Sequence, residues 1–267
     1  PGNSGGPIVN DRNQLVAVCE GVRTDARLVA MMIDVNEVRA FLEVCDPLVD
    51  PQTAQAFYDR AVLRHNAQRR ELALADYAEA LRLEPTMVMA ATNRGWIFVT
   101  QEDYATAEAE FEAALKLDAE NGSAFEGRGV CRRETGRTDD AIADFTQAIR
   151  RAPDDASLYF RRSIAHRNKE DWQSALADLN RAVARAPNIT DYVGSRGQVY
   201  RQLKKYKDAL ADFDAVSKLE PRRPIWYYEA GQVCYAQENY HAAIQLLSIA
   251  IQLDNTDAFF FNDRAMS

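Results

Sequence analysis

Apolar residues return every three or four positions in the stretch "ALADYAEALRL", residues 73–83, which is the stripe of an amphipathic helix. The pattern recurs along most of the chain, broken by short polar segments and punctuated by proline. Pro153, Pro187 and Pro221 stand 34 residues apart, and Pro85 stands two such steps before Pro153. Ala119 and Asn255 fill the two phases where proline is missing. With proline at the thirty-second position, repeats begin at Ala54, Val88, Gly122, Ala156, Thr190 and Pro224, and an incomplete one begins at Ala258.

The columns inside this frame describe a pair of antiparallel helices. The twentieth position reads Ala73, Ala107, Ala141, Ala175, Ala209 and Ala243. The twenty-seventh reads Ala80, Ala114, Ala148, Ala182, Val216 and Ala250, and the eighth is small throughout, from Ala61 and Gly95 to Gly231 and Ala265. The fourth position is mostly aromatic, as Phe57, Phe125, Tyr159, Tyr227 and Phe261, with Ala91 and Val193 the exceptions. The twenty-fourth is large, as Tyr77, Phe111, Phe145, Leu179, Phe213 and Leu247. Small residues let two helices approach closely, and the large ones fill the space beside them. The proline ends the second helix and starts the turn to the next pair.

These columns resemble the tetratricopeptide repeat (TPR) family over residues 54–267. The fold class expected is mainly α, a TPR α-solenoid. Six helix pairs, 54–87, 88–121, 122–155, 156–189, 190–223 and 224–257, precede a partial seventh, 258–267. One pair cannot bury its own apolar face, so stability is expected from stacking on neighbours. The seventh unit stops after ten residues, "AFFFNDRAMS", and is read as either a crude cap or a truncation, truncation being favoured.

The seventh position is Arg in Arg60, Arg94, Arg128, Arg162, Arg196 and Arg264, and the twenty-third is acidic in Asp76, Glu110, Asp144, Asp178 and Asp212. The one complete repeat with Ala230 in place of the Arg has Leu246 in place of the acid. Charge and counter-charge vanish together, which predicts an Arg–carboxylate bridge inside each hairpin. The competing reading is an Arg row that binds an anionic partner.

In the family the resemblance points to, first helices line a concave groove, with positions 2, 5, 9, 12 and 13 facing the ligand. Carried over, this gives Arg133, Arg167 and Arg201 at position 12, Asn168 and Gln202 beside two of them, and Gln198, Tyr228, Gln232 and Tyr235 further along. Cationic and amide donors of this kind suit an extended peptide or helix, including one of acidic character. The family's chaperone-tail carboxylate clamp is not supported. At its positions the first three repeats offer Tyr58, Val62, Asn93, Ser123 and Gly127, and only the Asn fits.

The opening "PGNSGGPIVN" is of another kind. Gly2-Asn3-Ser4-Gly5-Gly6 formally matches the G-x-S-x-G elbow of α/β-hydrolases, but an elbow runs directly into a helix. Here Pro7-Ile8-Val9 reads as a strand, "NDRNQ" as a turn, and "LVAVCEGV" and "RLVAMMIDV" as further strands. "DVNEVRAFLEVC" reads as a helix, with Asp34 and Glu37 forming a capping box. Serine, hairpin, strand and terminal helix resemble the C-terminal end of a trypsin-like serine protease, most closely the bacterial HtrA-type branch. The resemblance covers residues 1–45, with 46–53 as a linker. It implies Ser4 as nucleophile, the backbone N–H groups of Gly2 and Ser4 as oxyanion donors, and Val18 to Gly21 as the strand beside the specificity pocket. His and Asp precede the serine in that family, and only three residues precede Ser4 here. His65, His166 and His241 all lie in the repeats. The chain is therefore expected to be a fragment that binds partners and cleaves nothing, from a parent endopeptidase whose repeats recruit substrates or partners. The alternative is a non-catalytic TPR adaptor with a degenerate or chance motif.

Composition adds limits. The chain is 47% hydrophobic and 27% charged, an ordinary globular balance, and its net charge of −8 gives no basis for nucleic-acid binding. No apolar run approaches the roughly 18 residues that span a bilayer. Cys19, Cys45, Cys131 and Cys234 are scattered, fit neither a zinc site nor a disulfide framework, and read as buried hydrophobes. No cofactor or metal is expected. Only the protease resemblance suggests a compartment, the cell envelope or periplasm.

Overall fold

The computed structural model describes residues 7–9, 15–18, 51–256 and 258–266. Contacts divide the chain into two compact units, Pro1–Ala90 and Ala91–Ser267. Gly2, Ser4, Cys19, Cys45, the strand expected at 27–35 and the helix expected at 34–45 lie outside the described residues.

In the first unit, β1 (Pro7–Val9) pairs antiparallel with β2 (Leu15–Val18), Pro7 facing Val18 and Ile8 facing Ala17. The helical hairpin α1 (Ala54–Asn66) and α2 (Arg70–Leu83) follows. Thr53 caps α1 by accepting from the Ala56 N–H at 3.2 Å. Ala61 and Ala73 are fully buried, with Tyr77 closed in beside them.

α3 (Val88–Thr100) leads into the second unit, where α4 (Tyr104–Leu117) packs against α5 (Gly122–Glu134). Three further second and first helices alternate as α6 (Thr138–Arg151), α7 (Ala156–Asn168) and α8 (Trp172–Arg185). The series closes with α9 (Thr190–Gln202), α10 (Tyr206–Leu219), α11 (Pro224–Ala236), α12 (Tyr240–Leu253) and α13 (Ala258–Met266). From α4 onward each helix packs on the next, as a solenoid requires. The seven first helices open on the residues where the sequence period begins.

The columns now have physical partners. Ala107, Ala141, Ala175, Ala209 and Ala243 are fully buried between the helices of their hairpins. Phe111, Phe145, Phe213, Leu179 and Leu247 fill the adjoining gaps, also fully buried. At Gly197 a Cβ would come within 2.8 Å of the Phe213 ring, so the missing side chain sets the helix separation. Between repeats, Tyr159 and Tyr227 at the fourth position donate to the carbonyls of Pro153 and Pro221, at 3.0 and 3.2 Å. Proline is not needed to stop the second helix, however. α4 and α12 end at Leu117 and Leu253, where no proline follows.

The terminal half-unit is docked. Phe260 is buried in a cluster with Ala250 and Ile251, and its ring lies 5.0 Å from that of Tyr228. Phe261 is exposed. Cys131 and Cys234 are free and buried, and burial pushes the Cys131 thiol up to about 12.

One feature has no counterpart in the apolar pattern. The fifteenth residue of each complete repeat is left-handed: Gln68, Glu102, Gly136, Glu170, Lys204 and Glu238 have φ between 57° and 81°. Only Gly136 adopts this conformation without a Cβ penalty. Replacing Glu102, Glu170, Lys204 and Glu238 together by Gly should therefore raise stability, by about 0.5–1 kcal/mol per site. Gly136→Ala should lower it by a similar amount. Thermal melts of both variants check this, and an unchanged midpoint in either would contradict it.

The five Arg–carboxylate rungs are all formed. Arg60–Asp76, Arg94–Glu110, Arg128–Asp144, Arg162–Asp178 and Arg196–Asp212 close at 2.6–2.7 Å. The four Asp rungs are bidentate, Nε to one oxygen and Nη2 to the other. Hydrogen bonding to Asp212 pushes the Arg196 guanidinium above its ordinary pKa. The four Asp are buried and Glu110 is half-buried. Asp76 and Asp144 each accept from a second arginine, Arg64 and Arg132, so the rung whose broken half most clearly leaves a carboxylate stranded is Arg196–Asp212. Arg196→Met should cost about 2–3 kcal/mol, whereas Arg196→Met with Asp212→Leu should fall within about 1 kcal/mol of the parent, because the sixth repeat packs Ala230 and Leu246 at these places. Urea denaturation of the three proteins decides it. Equal losses in both variants would show that the rung does not act as a pair.

Candidate functional site

With the rungs filled, Arg60, Arg94, Arg128, Arg162 and Arg196 are committed to the fold. For these five the reading as a row that binds an anionic partner is withdrawn; Arg264 of the partial unit lies over the Phe261 ring instead. The remaining candidates lie on the first helices α5, α7, α9 and α11, within the second unit. These helices run parallel from repeat to repeat. A residue on one faces the residues 31 or 35 places later on the next, one helical turn apart. Arg167 Nη2 donates to Gln198 Oε1 at 3.0 Å, and Gln198 Nε2 donates to Glu229 Oε1 at 2.7 Å. The result is a polar file that crosses three repeats. Arg201 Nη2 lies 3.3 Å from the other Glu229 oxygen, Oε2.

This file is not saturated. Glu229 is only 7% exposed, yet its Oε2 accepts no hydrogen bond, and the buried Nε of Arg201 donates none. The Arg201 contact is thus an ion pair by distance without hydrogen-bond alignment. Burial lowers the pKa of Arg167, opposed by the charge of Glu229. Arg167 itself has no carboxylate within ion-pair distance among the described residues.

The other expected residues sit differently. Arg133 is held by its neighbour Glu134. Asn168 and Gln202 are exposed at the ends of α7 and α9. Tyr228 donates to Asp263 Oδ2 at 2.8 Å, and Gln232 Nε2 donates to the same oxygen at 2.5 Å, so α13 occupies both. Hydrogen bonding to Asp263 adds to burial in pushing the Tyr228 phenol up to about 12. Tyr235 is 39% exposed and stacks edge-on with Tyr240, centroids 5.6 Å apart. The structure therefore joins Arg167, Gln198 and Arg201, separates Arg133 and Tyr235 from them, and ties Tyr228 and Gln232 to the last helix.

Three residues at the sixth position lay outside the carried-over set yet organise this face: Arg161, Glu229 and Asp263. Arg161 pairs with Glu126 at 2.8 Å and lies 6.0 Å from the Trp96 ring, whose Nε1 donates to Ser123. Burial raises the pKa of Glu126, with the charge of Arg161 opposing it. The acids Glu126, Glu229 and Asp263 offset the cationic character that the position-12 arginines suggested. A search for complementary residues 31 or 35 apart would have found them. Among the described residues no group of three His, Cys, Asp or Glu could hold a metal ion, and no helix is long and apolar enough to cross a membrane.

Comparison with known proteins adds the family context. The tetratricopeptide repeat family matches residues 92–156, 132–188 and 195–258. Among solved structures, YrrB, described as a TPR protein with an unusual peptide-binding site, superposes with a TM-score of 0.64. It is 22% identical over 71% of this chain and 97% of its own. PilF from Pseudomonas aeruginosa gives 0.69 at 14% identity, over 80% of this chain and 97% of its own. PilW, described as a widely conserved type IV pilus biogenesis factor, gives 0.70 at 16% identity, over 80% and 98%. At these identities the likeness is one of fold. No curated protein matches the chain.

Proposed function

Because the chain belongs to the tetratricopeptide repeat family, we propose that it is a protein-interaction scaffold whose first helices α5, α7, α9 and α11 form a concave groove for a peptide segment of a partner. The observation that carries this reading is a contrast between two sets of arginines. Those at the seventh position of α5, α7 and α9, Arg128, Arg162 and Arg196, are held bidentate inside their hairpins. By contrast, the file Arg167, Gln198, Arg201 and Glu229 on α7, α9 and α11 keeps a donor and an acceptor unfilled. Buried polar groups left unsatisfied cost stability, and a peptide main chain supplies both kinds of partner. Peptides selected from a phage-displayed random dodecapeptide library against the full chain should slow amide exchange in the first helices and leave α6, α8 and α10 unchanged. Protection confined to the second helices would refute the reading.

The opening residues support a further part of the proposal, attachment to a trypsin-like serine endopeptidase to which the repeats bring substrates or partners. Its support is the motif Gly2-Asn3-Ser4-Gly5-Gly6-Pro7 followed by antiparallel strands at 7–9 and 15–18, the order the resemblance requires. Ser4 is the nucleophile on this reading, and Gly2 contributes an oxyanion N–H. In a trypsin-like site the serine hydroxyl attacks when an imidazole takes its proton, and the chain's three histidines belong to the repeats. The chain alone should therefore resist a fluorophosphonate probe, while the parent enzyme labels at Ser4 and loses the label in Ser4→Ala. Labelling of the chain alone at Ser4, or a parent that stays unlabelled, would overturn it. A non-catalytic adaptor is the outcome in the second case.

A further inference from the structure

The groove reading leaves open which peptide chemistry the polar file selects, and the file's charge layout bears on it. Two guanidinium groups, Arg167 and Arg201, share one carboxylate, Glu229. The cluster thus holds one positive charge in excess. Nor are the two arginines equivalent. Arg201 lies against Glu229, but Arg167 reaches it only through the Gln198 amide, whose Oε1 accepts from Arg167 and whose Nε2 donates to Glu229. A neutral amide cannot neutralise a partly buried cation, and a guanidinium has five donors in a planar fork of which this bond uses one.

Neighbouring acids do not fill the gap. Glu126 is paired with Arg161. Asp263, bonded to the neutral Tyr228 and Gln232, keeps its charge but stands on α13, at the far end of the file from Arg167. In the repeat of α7, Asp178 is paired with Arg162 and Asp171 caps α8 through the Ser174 N–H. Among the described residues, none of Glu170, Asp171 and Asp178 lies within ion-pair distance of Arg167. Glu229 Oε2 is buried beside Arg201 and accepts no hydrogen bond. A main-chain N–H fills it once the Arg201 side chain moves aside, which a free anion cannot do, and this favours a peptide.

Resting on the groove reading, we infer that Arg167, supported by Gln198 and Arg201, is the receptor for the carboxylate of an acidic residue in an extended peptide. The peptide's own backbone donates to Glu229. Gln198 acts as a positioning residue: it fixes Arg167 at one end and Glu229 at the other, and holds the remaining donors of the Arg167 fork open.

The dodecapeptides selected on the full chain provide the test. They should be enriched in Asp or Glu, and affinity by fluorescence anisotropy should fall as salt rises. Changing the key acid of a selected peptide to its amide, or Arg167→Met in the protein, should each weaken binding about tenfold or more. Both changes together should weaken it little further than either alone. Arg167→Lys, which keeps the charge and loses the fork, should recover part of the loss, and unchanged helical circular dichroism and melting certify the variants as folded. Should Arg167→Met lose its fold, Arg201→Met with the same peptides replaces it. Selected peptides that protect the first helices but carry no acid, or that bind the Arg167→Met protein as well as the parent, overturn this inference and leave the groove reading standing. Failure to select any peptide, or protection confined to the second helices, overturns both.

Discussion

Everything in the repeat region depends on how closely two helices can approach within one hairpin. A small residue at the eighth place leaves room for the ring or Leu at the twenty-fourth, and alanines at the twentieth and twenty-seventh bring the second helix in against it. Phe111, Phe145 and Phe213 are fully buried in this way. Burying such a side chain is worth roughly 1.5–3 kcal/mol. Dispersion between helices packed this tightly adds to that. Neither contribution specifies register, because a slide by one turn would bury similar area. The Arg–carboxylate rungs supply that specification, since a slipped hairpin would strand a buried carboxylate.

Once the hairpins are fixed, the first helices of successive repeats lie parallel, and their spacing dictates which side chains meet. The i to i+31 and i to i+35 relations follow from a 34-residue repeat displaced by less than one turn. They bring Arg167, Gln198 and Glu229 into one file, and Tyr228, Gln232 and Asp263 into another. The same geometry that stabilises the stack therefore composes the surface it offers. The Asp rungs inside the hairpins are bonded at both carboxylate oxygens, and the Glu110 rung leaves only the Arg94 Nε unfilled. The file between α9 and α11, in contrast, leaves both a donor and an acceptor open, and function is read from that file.

The hairpin register was legible because proline, alanine and the small eighth residue recur at one phase. The rungs were legible because Ala230 and Leu246 break both columns in the same repeat. The left-handed turn at the fifteenth place was not: five of its six residues are Gln, Glu or Lys, which carry no local signal for positive φ, and tertiary packing imposes it. The groove was half legible. Carried-over positions found Arg167, Gln198 and Arg201 but missed Glu229, because the contact that buries it spans two repeats and belongs to no single column. Arg133 shows the converse error. It shares the twelfth position with Arg167, yet the residues 31 and 35 places on are Ile164 and Asn168, so it turns to Glu134.

Hydrogen exchange resolved by repeat in a Phe145→Ala variant tests the central claim most directly, because it removes one ring from one hairpin at a cost of about 3–5 kcal/mol. If each hairpin is held by its own ring and coupled only to its neighbours, loss of protection should concentrate in α5 and α6, spread to α4 and α7, and leave α10 to α12 near their parent values. Uniform loss from α4 to α13, or no loss at all in α5 and α6, would contradict the account.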